Sequence, residues 1–77
     1  MNPVDKKMID LIDYLIYKKI HLSERNFCLE NDLLQQTYSR IKKGENHFTV
    51  NQIERIGKKY KVNFNWLFGT EEEMFIK

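Results

Sequence analysis

A chain of 77 residues with net charge +2 and 42% hydrophobic residues reads as one domain around one core, because a protein of this size buries only about 60 to 65% of its unfolded surface. That leaves little space for a deep enzyme cleft, and the apolar content is too ordinary for wholesale disorder. A lone Cys28 excludes an internal disulfide and suits a reducing cytoplasm, while one proline and three glycines are few for a turn-rich all-β fold.

Helix signals run the length of the chain. Asn2 is a cap and Pro3 suits a first helical position. Val4, Met8, Leu11, Ile12, Leu15 and Ile16 follow helical spacing and predict a first helix from about Pro3 to Ile20, with His21 and Leu22 as a link. Asp5, Lys6, Lys7, Asp10 and Asp13 interrupt its apolar positions, so it is neither a secretory signal nor a membrane span. Ser23 caps a second helix, with Leu22 and Phe27 as its hydrophobic staple and Phe27, Cys28 and Leu33 turned inward.

Asn31-Asp32 breaks that helix with residues that tolerate a left-handed turn. A third helix follows within residues 34–44 and closes on Gly44. Thr49 and Gln52 form a capping box that opens a fourth helix, with Phe48 and Ile53 as its staple and Val50, Ile53, Ile56 and Gly57 toward the core. Asn63 caps a short fifth helix, Phe64 to Phe68, which stops at Gly69. The tail, 70–77, is acidic and then apolar. The expected fold is all-α: five short helices in one domain over residues 1–77.

The third helix is the most informative segment. One face carries Gln35, Gln36, Ser39, Arg40 and Lys43, and the other keeps Tyr38 and Ile41 for a core. Glutamine pairs with adenine edges and arginine with guanine edges in the major groove. A solvated polar face has the same composition, so the pattern gains meaning only from its neighbours.

Those neighbours match a family. The chain resembles the Cro/repressor-type helix-turn-helix domains (Xre family, lambda-repressor-like) over about residues 5 to 75. The resemblance rests on Ser23-x-x-x-Phe27-Cys28, on the run from Gln35 to Gly44, on Thr49-Val50-x-x-Ile53-x-x-Ile56, and on the ending Val62-Asn63-Phe64-Asn65-Trp66-Leu67-Phe68-Gly69. It implies a compact five-helix DNA-binding domain whose helices 2 and 3, about residues 23–43, form a helix-turn-helix. It further implies a small transcriptional regulator, a repressor by family habit, working at the nucleoid in the cytoplasm. The chain departs from the family at Asp32, where glycine is usual; at Leu34, where Ser or Thr usually caps; and at Glu24, where a phosphate-touching glutamine is common.

By that resemblance Gln35, Gln36, Thr37 and Arg40 are the candidate base readers, and Arg25, Ser39, Lys43, Asn46 and His47 the candidate phosphate contacts. Trp66 is expected in the core. Phe64, Phe68, Met74 and Phe75 offer more large apolar groups than one small core needs, and the resemblance puts dimer contacts near the fifth helix; the other reading is that the tail folds back and buries them. The expected partners are a near-palindromic double-stranded DNA operator and a second copy of the chain. An alternative from a different class is a protein-interaction module of the same fold, such as an adaptor, antitoxin or anti-repressor, which Glu24 and the small net charge favour. His21, His47 and Cys28 have no metal-ligand spacing, no glycine-rich phosphate loop occurs, and no catalytic constellation is recognisable, so neither an enzyme nor a cofactor is expected.

Overall fold

The computed structural model describes residues 1–76. Its elements in chain order are α1 (Pro3–Tyr17), α2 (Glu24–Glu30), α3 (Gln35–Lys42), α4 (Val50–Lys59) and α5 (Phe64–Leu67). No strand forms among the described residues; a single antiparallel bridge joins Val62 to Phe75. None of these helices is long and apolar enough to cross a membrane. The domain measures 31 × 26 × 20 Å.

Four helices start on a side chain that accepts from their own first turn: Asn2 from the Asp5 amide, Ser23 from Asn26, Thr49 from Gln52 and Asn63 from Asn65. At α4 the capping box is reciprocal, because Gln52 accepts the Thr49 amide in return. Helix α3 has no such cap.

All five helices end alike. The residue after the last helical position is followed by one in the left-handed region: Lys19, Asp32, Gly44, Lys61 and Gly69. The next amide then reaches back five residues, as in Ile20 to Leu15, Leu33 to Cys28, Glu45 to Arg40, Val62 to Gly57 and Thr70 to Asn65. This is the Schellman arrangement, which satisfies carbonyls the helix end would otherwise leave without partners. It explains why α1 stops at Tyr17 and not near Ile20: Lys19, with φ of 60°, turns the chain out of the helix.

The core gathers Met8, Leu11, Ile12 and Leu15 of α1, Phe27 and Cys28 of α2, Tyr38 and Ile41 of α3, Ile56 of α4, and Trp66 and Leu67 of α5. Burial of these side chains from every helix is the main favourable term for a domain this small. Two expectations from spacing fail. Val50, in the first turn of α4, is exposed and stands beyond the core's edge, and Leu22 is exposed and so makes no buried staple with Phe27. The tail is tied to the link before α5 by the Asn63 amide to the Met74 carbonyl, 2.8 Å, and the Ile76 amide to the Lys61 carbonyl, 3.0 Å.

Candidate nucleic-acid interface

Helix α3 turns Tyr38 and Ile41 into the core. Its amphipathic phase then leaves Gln35, Gln36, Ser39 and Arg40 exposed on the far side, with Lys43 exposed at its end and Thr37 half-buried. Among the described residues no carboxylate lies within ion-pairing distance of Arg40, Lys43 or Arg25. Arg25 on α2, Arg40 on α3 and Lys43 just after it thus remain available to an external anion.

The other polar groups nearby are already engaged. Lys42 donates to both oxygens of Glu24 at 2.8 Å and lies over the Tyr38 ring at 5.3 Å. The acidic residue at the start of α2 is thereby neutralised by a lysine from α3. In the loop after α3, Asn46 accepts the His47 amide, and His47 Nδ1 meets buried Asp5 at 2.6 Å. The other Asp5 oxygen accepts the Phe48 amide at 3.0 Å. The loop expected to face phosphate is therefore anchored to α1, with the His47 ring still largely exposed.

Sequence reasoning missed two buried polar centres. Asp5 is one. The other is His21, which it treated as part of a link. His21 Nδ1 lies 2.8 Å from both the Asn26 and Glu30 side-chain oxygens, and its Nε2 bonds the Tyr60 hydroxyl. Asn31 donates to that same hydroxyl and to the Phe27 carbonyl, both at 2.9 Å. With Nδ1 protonated, His21 donates to the Asn26 and Glu30 oxygens and accepts from the Tyr60 hydroxyl, which in turn accepts from Asn31. Arg55 donates to the Asn31 carbonyl at 2.6 Å and Lys59 to the Glu30 carbonyl at 3.2 Å. These cations of α4 are thus spent on the C-terminus of α2, where the helix dipole favours them. The sequence signal for His21 was weak: a histidine between two apolar residues after a helix.

A cleft of about 610 Å³ opens beside α3, lined by Asp10, Asp13, Glu24, Lys6 and Lys42 among others. Burial, then the Glu24 and Asp10 carboxylates, push the Asp13 carboxyl up from its ordinary value. Burial first, and Glu24 next, also push up the Cys28 thiol, so it is held as an uncharged core group.

Of the four side chains expected at a dimer interface, Phe64, Met74 and Phe75 are half-buried against the domain's own core and Phe68 is exposed. Phe75 lies 5.3 Å from the Tyr14 ring. Phe64 lies on Gly57 so closely that a Cβ there would come within 2.5 Å of its ring. Phe64 forms, with Ile53, Val50 and exposed Phe68, a groove of about 350 Å³ flanked by Glu54 and Lys58.

Comparison of the chain with family models, with curated proteins and with solved structures finds no match.

Proposed function

We propose that the protein is a sequence-specific double-stranded DNA-binding regulator in which α2, the turn 31–34 and α3 act as a helix-turn-helix. The observation that carries this reading is the outer face of α3, where Gln35, Gln36 and Arg40 are exposed and take no part in the domain's own packing. In this reading Gln35, Gln36, Thr37 and Arg40 meet base edges, where glutamine and arginine have paired hydrogen bonds to offer adenine and guanine. Arg25, Ser39 and Lys43 contact phosphate, which fixes register without carrying sequence information. Asn46 and His47 contribute from a loop stiffened by Asp5. The resemblance to Cro/repressor-type domains supports the same assignment, and repression is the sign it favours.

Two copies, docked through the groove of Val50, Ile53, Phe64 and Phe68, would present two α3 helices to half-sites about 34 Å apart on a near-palindromic operator. Linking two modest contacts raises affinity through effective concentration.

The test is selection of bound duplexes from a random pool at near-physiological salt. Enrichment of a two-fold symmetric sequence, with binding that weakens at a log-log salt slope of about −0.9 per neutralised phosphate, supports the proposal. Folded protein that enriches no sequence overturns it. One observation favours a second reading, a protein-interaction module: in the cleft that reaches the end of α3, Lys6 pairs with Asp10 and Lys42 with Glu24, while Asp13 meets no cation among the described residues and is left to receive a basic group. Capture of a basic partner through that cleft, abolished by D10N/D13N while DNA shows no enrichment, would select this reading.

A further inference from the structure

Helix α3 alone begins without a side-chain cap, although the chain supplies one to each of the other four helices. The N-cap position is held by Leu34, an unfavourable residue there because it offers the first amides no acceptor. Leu34 does not repay that cost by packing. Its neighbour Leu33 fills the core side of the turn, whereas Leu34 is 73% exposed. With exposed Leu29 it rims a shallow depression of about 240 Å³ over buried Cys28 and Leu33. An apolar side chain thus replaces a polar cap directly before Gln35 and Gln36, at the end of the helix that would enter the groove first.

On the base edges of the major groove the apolar group is the C5-methyl of thymine. Resting on the DNA-reading proposal above, we infer that Leu34 is a specificity-determining residue that packs on the C5-methyl of a thymine beside the base pair read by Gln35 or Gln36. Serine at this position would stabilise the helix and lose that apolar contact. The operator half-site is then defined by one methyl-dependent thymine next to the pair read by glutamine.

The test uses the duplex enriched by selection, with each thymine replaced in turn by deoxyuridine, which removes the methyl and keeps the hydrogen-bonding edge. At one thymine per half-site this swap should weaken wild-type binding about fourfold, the weight of one buried methyl-sized group. L34A, shown folded by its helical circular dichroism, should bind the thymine duplex about fourfold more weakly and be indifferent to the swap. L34S should unfold at higher denaturant, because it restores a cap, and still show no methyl discrimination. Sequence-selective binding in which no thymine is methyl-sensitive, or in which L34A and the swap weaken binding independently, overturns the role of Leu34 and leaves DNA reading intact. Absence of any enriched duplex is the different result that overturns DNA reading itself.

Discussion

Glu24 holds Lys42 through both carboxylate oxygens at 2.8 Å, joining the first turn of α2 to the last turn of α3. The contact answers the difficulty that an acidic residue poses at a position expected to approach phosphate. It also keeps one lysine from serving the DNA. E24Q should release Lys42 and remove a repulsive charge. Binding should tighten, and the log-log salt slope should steepen by about 0.9, one further phosphate. Stability should change by less than about 1 kcal/mol, since the pair is partly solvated. Titrations of wild type and E24Q over a range of salt would measure both effects; an unchanged slope would show that Lys42 does not reach the backbone.

Asp5 holds the loop after α3 by two contacts, one to His47 and one to the buried Phe48 amide. D5A leaves that amide without its partner, which costs about 1 to 3 kcal/mol. Denaturant unfolding should show the loss, and hydrogen exchange should quicken at Phe48 before it does at the centre of α1. Unaltered protection at Phe48 would mean that the loop is held by its apolar anchor alone.

Tyr38 presents the opposite case. Its ring is core, yet its hydroxyl is buried with no hydrogen-bond partner among the described residues. Burial first, then Glu24, Asp13 and Cys28, push the phenol's pKa above its ordinary value, so it stays protonated. Y38F removes an unsatisfied group and keeps the ring. It should leave stability unchanged or raise it by up to about 1 kcal/mol. A clear loss in urea unfolding would reveal that the hydroxyl does have a partner.

Asp13 gives a pH dependence with a definite sign. Its carboxyl is raised above its ordinary 3.8 by burial, Glu24 and Asp10. The charged form therefore disfavours the fold above the folded-state pKa, and the penalty is relieved as pH falls through it. D13N should raise the thermal midpoint at pH 7. The gain should shrink on acidification and vanish below about pH 4, where the carboxyl is neutral in both states. A gain that persists at low pH would point to packing and not to charge.

The parts of the fold legible in the sequence were those governed by neighbours in the chain. Asn2, Ser23, the Thr49–Gln52 box and Asn63 act on amides two or three residues away, so their residue types announced the helix starts. Helical spacing likewise separated Tyr38 and Ile41 from the outer face of α3. What stayed hidden depended on distant partners. Asp5 meets Phe48 across 43 residues and His21 meets Tyr60 across 39. Nothing beside Asp5 or His21 in the chain marks either as buried. Val50 fits the apolar spacing of α4, but spacing cannot tell where a core ends. The outer face of α3 was legible as chemistry, while the engagement of Lys42 and His47 by carboxylates required the tertiary arrangement.

The shared ending of the five helices has a consequence for how this chain can change. Lys19, Asp32, Gly44, Lys61 and Gly69 determine where each helix stops, and so the direction in which the next one leaves. Because an α-helix turns by about 100° per residue, an insertion of a single residue in α2 ahead of Asp32 would swing the exit by that angle and turn the glutamine face of α3 out of its present direction. Substitutions on the outer face alter only what it contacts; insertions and deletions within the helices alter where that face points. The outer face of α3 can therefore change in residue identity while Tyr38, Ile41 and the spacing between corners are held fixed.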